Sequence, residues 1–127
     1  MHHSRLCALV IDCQDQDIKA DTLFWSGALG KPITSFDQDG DGKYAELGTS
    51  ADELIVLLQR VDHEPRVHLD IETDDLEAEA LRLEKLGASR VAKVRDRWWV
   101  MQAPSGHRFC LVKKQRESFG PHVNTWD

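Results

Sequence analysis

The sequence predicts an α+β protein of two tandem β-α-β-β-β modules, forming a concave half-barrel sheet with helices outside. Two observations lead there. Two Leu-Gly helix stops, Leu29-Gly30 and Leu86-Gly87, stand about 57 residues apart, the mark of an internal repeat. Each stop follows a strand-like run and a helical stripe, and each precedes three short strand candidates.

The elements follow in order. Residues 6–13, Leu-Cys-Ala-Leu-Val-Ile-Asp-Cys, read as the opening strand. An acidic turn at Asp15 and Asp17 leads into a helix whose face is set by Ile18, Thr22, Trp25 and Leu29. Gly30 supplies the left-handed residue that closes it. Strands are expected over 32–37, 43–48 and 54–61. In the second half Val67, Leu69 and Ile71 alternate with His68, Asp70 and Glu72, a half-buried strand. Asp74 with Glu77 resembles a capping box opening a helix over 75–86, with Leu76, Ala80, Leu83 and Leu86 as its stripe. Strands over 89–95, 97–102 and 107–113 complete the set. Module one therefore spans about 6–61, module two about 66–113, and 114–127 form a tail within one domain, 1–127. Phe119, Val123 and Trp126 give that tail enough apolar surface to pack across the domain, over the cavity mouth, or onto a partner subunit.

Composition narrows the function classes. Sixteen Lys and Arg against 22 Asp and Glu leave a net charge of −6, without the basic footprint of a nucleic-acid binder. A chain of 127 residues buries about two-thirds of its extended surface on folding, so no disulfide or structural metal is needed. No apolar run approaches the ~20 residues of a membrane span. The opening Met1-His2-His3-Ser4-Arg5 lacks the pattern of a signal peptide. Cys7, Cys13 and Cys110 are an odd set without close pairing, expected as reduced thiols in a cytoplasmic protein.

Several runs carry a family resemblance: Phe24-Trp25-Ser26-Gly27-Ala28-Leu29-Gly30, Val67-His68-Leu69-Asp70-Ile71, Asp74-Asp75-Leu76-Glu77-Ala78-Glu79, Leu86-Gly87-Ala88, and Pro104 through Val112. In this order they resemble the vicinal oxygen chelate superfamily of glyoxalases, bleomycin-resistance proteins and extradiol dioxygenases, and most of all its glyoxalase-like domain subgroup. The resemblance implies a small molecule bound in the concavity and a homodimer. It also implies a divalent metal held from the first and last strands of each module. Those positions fall on Ala8, Gln59, His68 and Cys110. Ala8 has no donor atom, and amide, imidazole and thiol do not make a hard, oxygen-rich site. No tightly held catalytic metal is expected; a weak divalent site would use His68, Gln59 and Cys110.

Individual residues sharpen this picture. His68 shares a strand face with Asp70, an arrangement suited to a general base or to a binding contact. Cys110, with Arg108 two residues away, fits a nucleophile, a ligand or a small core residue. Trp98 and Trp99 must point to opposite faces, one packing under a helix and the other entering the cavity or serving a subunit interface; Trp99 is included in the ligand-binding set. Asp37 through Gly42 opens like a calcium loop, but Gly48 stands where a bidentate Glu is required, so a hairpin turn is expected. Gln59, His68, Asp70, Trp99, Arg108 and Cys110 form the expected ligand-binding set. Three functions compete: metal-independent binding; a lyase, isomerase or dioxygenase-type enzyme using His68; and a dimeric module with a filled cavity.

Overall fold

A computed structural model describes residues 1–14, 17–37 and 40–127. Asp15 of the predicted acidic turn and Asp39 of the calcium-like run lie outside these residues. Among the described residues the order is β1 (His2–Cys13), α1 (Lys19–Leu29), β2 (Ile33–Phe36), β3 (Tyr44–Leu47), β4 (Ile55–Arg60), β5 (Arg66–Thr73), α2 (Leu76–Lys85), β6 (Ser89–Val94), β7 (Trp98–Gln102), β8 (Arg108–Lys113) and β9 (Asn124–Trp126). The chain divides into two compact units, Ala8–Val67 and Met1–Cys7 with His68–Asp127, so β1 contributes one half to each. The predicted α+β repeat is present: each half reads β-α-β-β-β.

In the first unit the strands run β2-β3-β4-β1, with β1 parallel to β4 and the hairpin partners antiparallel. Ile11, Cys13, Ala45, Leu47 and Leu58 on one sheet face close a core with Ile18, and Trp25 of α1 packs against it. Thr22 is fully buried and returns its hydroxyl to Ile18 O at 2.6 Å. Gly30 takes the left-handed conformation, φ 66°, and ends the helix as predicted. Leu29 departs from the predicted stripe and is 44% exposed, because this short helix is anchored from its N-terminal turns. β2 and β3 pair antiparallel and Asp37 Oδ1 accepts from Gly42 N; Gln38 and Asp39 of the expected turn lie outside the described residues.

In the second unit the order is β1-β5-β8-β7-β6, with β5 parallel to β8. Ala80 and Leu83 of α2 pack on Met101 and Leu111, with Ile71, Leu76, Trp99 and Phe109 around them. The helix starts one residue later than the predicted capping box. Asp75 is the N-cap and accepts from Ala78 N at 3.0 Å. Asp74 turns away to accept from His3 N at 2.8 Å and His3 Nδ1 at 2.7 Å. Leu86, placed on the stripe, lies past the last helical turn and is exposed.

The N-terminal half of β1 starts earlier than the sequence suggests because both chain ends tie it down. The tail forms β9, antiparallel to His2–Ser4, and Trp126 Nε1 donates to Ser4 Oγ at 2.8 Å. His2 Nε2 lies 2.8 Å from the fully buried Glu79 carboxylate, which also accepts both Nε and Nη2 of Arg82. Arg5 Nε donates to the equally buried Glu72 at 2.6 Å. Among the described residues no helix is long and apolar enough to cross a membrane.

Candidate functional site

β5 reverses the burial expected from its alternation. Val67 and Leu69 are exposed, whereas Asp70 and Glu72 on the polar face are buried. α2 covers Ile71 but not the earlier apolar positions. On that face Glu72 is paired: it accepts from Arg5 Nε and, at 2.7 Å, from Gln115 N.

That polar face carries the candidate site. Parallel pairing sets Asp70 beside Cys110, and paired residues share a sheet face. His68 precedes Asp70 by two residues and so points the same way. One donor atom from each of His68, Asp70 and Cys110 lies within 4.8 Å of the other two. His68 Nε2 is 3.3 Å from Asp70 Oδ1. The Asp70 side chain is 11% exposed, and its Oδ1 accepts no well-formed hydrogen bond. Cys7 Sγ donates to Asp70 O at 3.5 Å from the neighbouring strand. Burial, reinforced by the charges of Glu72 and Asp70, pushes the Cys7 thiol up to about 12, leaving it inert at neutral pH.

Arg108 joins this face from β8, where its Nε donates to Gln102 Oε1 at 2.9 Å. Trp99 does not. It pairs with Leu111, a core residue, and therefore packs on the α2 side with Arg90 and Lys93 over its ring. Trp98, on the opposite side of the same strand, shares the face of Cys110. The inclusion of Trp99 in the ligand-binding set is corrected accordingly. Gln59 belongs to the first unit, on the face opposite α1, with its amide donating to Tyr44 Oη at 3.4 Å. On that face, a cleft of about 220 Å³ is lined by Ser35, Asp37, Asp41, Tyr44, Ala45, Glu46 and Leu57, without any predicted site residue.

Arg5 and Glu72 were not among the predicted site residues, yet they hold the strand that presents His68 and Asp70. The i, i+2 spacing of His68, Asp70 and Glu72 is the one sequence signal that groups them.

The metal positions implied by the resemblance can be checked on these side chains. Ala8 is 1% exposed and offers no donor. With that position empty of donors and Cys110 where a carboxylate is usual, the hard, oxygen-rich ion of the metal-dependent members is not fitted by this chain.

Two β-α-β-β-β halves with a polar strand face opposite each helix define a class of paired-module fold. The profile described as a glyoxalase-like domain matches residues 8–112, and the chain belongs to that family. Among solved structures, a hypothetical protein from Bacillus halodurans is similar with a TM-score of 0.66 at 14% identity, covering 91% of this chain and 97% of that one. Methylmalonyl-CoA epimerase from Mycobacterium tuberculosis gives 0.63 at 17% identity, covering 88% and 89%. A superfamily member from Vibrio splendidus gives 0.56 at 18% identity, covering 87% and 99%. At these identities the likeness is one of fold. No curated protein matches the chain.

Proposed function

We propose that the chain binds a small molecule on the helix-free face of its second unit, without a permanently held octahedral metal. His68, Asp70, Arg108 and Cys110 supply the polar contacts, and Trp98 the aromatic one. The observation that carries this reading is the Asp70 carboxylate. Its Oδ1 is buried and approached by His68 Nε2 at 3.3 Å without a well-formed hydrogen bond, and a ligand donor placed there would complete its pairing.

A thermal-shift screen tests it. A ligand at a hundred times its Kd adds about 2.7 kcal/mol of stability, or roughly 10 °C for a domain of this size. His68→Ala and Asp70→Asn should each reduce the shift. A ligand whose shift survives both substitutions binds elsewhere and refutes the placement.

A catalytic version has one specific observation in its favour, the 3.3 Å approach of His68 Nε2 to Asp70 Oδ1. A carboxylate there orients the imidazole and stabilises the imidazolium formed when His68 takes a proton from a bound substrate. A rate that rises with deprotonation of one group and vanishes in His68→Ala would establish it. The exposed Leu23 and Phe24 of α1 support a homodimer, to be checked by sedimentation equilibrium.

A further inference from the structure

We infer that the ligand of this face is an amphipathic monocarboxylate, its carboxylate taken by Arg108 and its apolar body laid along Cys110, Val100 and Trp98. The inference rests on the binding face proposed above and adds the chemical class of what binds there.

Strand register sets the layout, and every residue involved lies in the second unit. β8 runs between β5 and β7, so each cross-strand row takes one residue from each of the three. Gln102 pairs with Arg108, and continuing the pairing of Leu69 with Phe109 sets His68 on the other side of Arg108. The next row on the same face holds Asp70, Cys110 and Val100. The row after it holds Glu72 and Val112, with Trp98 beside Val112 by continuation of the Trp99–Leu111 pairing. The face therefore changes character along β8. It is polar at Arg108 and turns apolar over Cys110, Val100, Val112 and Trp98, all of them half-buried. α2 packs on the opposite side, against Met101 and Leu111.

Charge selects the head group. Glu72 is closed by Arg5, and Asp70 lies against His68, so both carboxylates of the face have basic partners. Arg108 is the cation left over. Its Nε donates to Gln102 Oε1 at 2.9 Å, and its two terminal nitrogens have no partner among the described residues. Tying Nε fixes the guanidinium plane, and the remaining edge is a two-pronged donor matched to a planar carboxylate. One uncompensated positive charge takes one negative charge, while Asp70 and Glu72 along the flank oppose a second anion farther in. Size follows from the strand. Arg108 and Val112 stand roughly 13 Å apart at about 3.3 Å per residue. That is room for a carboxylate at one end and a ring against Trp98 at the other, joined by a short aliphatic chain.

The test titrates the intact, reduced chain calorimetrically with phenylacetate, phenylpropanoate and phenylbutanoate, and with the amide, amine and phosphate ester built on the longest skeleton. Affinity should rise about two- to fourfold with each added methylene, as the ring moves onto the apolar floor. The amide should bind at least about tenfold more weakly than the acid, and the amine should not bind. Arg108→Gln should weaken the acid on the order of tenfold or more and leave the amide unchanged, a charge-specific readout that a merely structural role would not give. Arg108→Lys keeps the charge but loses the fork, and should recover only part of the affinity. Trp98→Ala should flatten the chain-length series. Near-ultraviolet circular dichroism checks that each variant folds; should Trp98→Ala fail to fold, the acid–amide comparison and the exposed Arg108 still decide. Equal affinity for acid and amide, a folded Arg108→Gln with unchanged preference, a phosphate ester favoured over the acid, or no binding by any acid of the series would each overturn the inference. A neutral or cationic compound whose thermal shift is lost in both His68→Ala and Asp70→Asn keeps the binding face and sinks this inference alone. Acids that answer to Arg108→Gln yet bind unchanged in His68→Ala and Asp70→Asn sink only the contacts assigned to those two residues.

Discussion

Replacing Arg5 with Met probes the support beneath the candidate site. Arg5 is 8% exposed, and its Nε lies 2.6 Å from a Glu72 carboxylate that is fully buried. The substitution preserves much of the side-chain volume and removes the charge, leaving Glu72 with the Gln115 backbone amide, 2.7 Å away. Breaking one partner from a buried ion pair costs about 3–5 kcal/mol. The surviving amide satisfies the other carboxylate oxygen, which places the expected loss near the lower end, about 3 kcal/mol, or roughly 10 °C in Tm. Replacing both partners in Arg5→Met/Glu72→Leu removes the stranded charge and should recover most of the loss, with a coupling of about 2 kcal/mol or more. Urea unfolding followed by tryptophan fluorescence measures all members of the cycle. A single-variant loss below about 1 kcal/mol, or a double variant as unstable as the sum of the singles, would refute the view that this pair anchors β5.

Further expectations concern the same unit. Burial pushes the Glu79 carboxyl up, but hydrogen bonds from Arg82, His2 and Ser4 outweigh it and hold it below its ordinary 4.5; hydrogen bonding to His3 lowers Asp74 and to Arg90 lowers Glu77. Because these folded values are depressed, their contribution is complete above the unfolded values and is lost as pH falls through the folded ones, so Tm should drop below about pH 4.5 and less so in Glu79→Gln. Brief alkylation of the native protein near pH 8 should label Cys110 and spare Cys7 and Cys13, as peptide mapping would show; early loss of the Cys7 thiol would contradict its burial. Trp126→Ala removes the bond to Ser4 Oγ and the Arg82 guanidinium stacked 3.8 Å from its ring, an expected loss of about 2 kcal/mol in the same urea assay. Gly87→Ala forces a side chain onto φ +109° with Pro104 Cγ 3.0 Å from the new Cβ, and should cost about 1–3 kcal/mol.

Much of the fold was legible because its signals are local. Gly30 and Gly87 mark the ends of their helical segments with positive φ, and strands predicted at 54–61 and 107–113 form as Ile55–Arg60 and Arg108–Lys113. The site was legible in part. His68 and Asp70 follow from spacing along one strand, whereas their meeting with Cys110 depends on a parallel pairing across some forty residues of chain. Trp99 shows where local reading stops: two adjacent aromatics must face opposite ways, but which one faces the core is set by pairing with Leu111.

The sequence by itself determined the doubled β-α-β-β-β order, because helix stops, strand alternation and turn residues act within a few positions of one another. It also determined that carboxylates are missing where the family's metal enzymes use them. Tertiary structure alone decided which face of β5 is buried. Alternation can separate apolar from polar residues, but a polar face becomes interior only when distant groups such as Arg5 and Gln115 arrive to pair it. The same long-range closure draws His2 to Glu79 and Trp126 to Ser4, turning two chain ends without strong local signals into neighbouring strands.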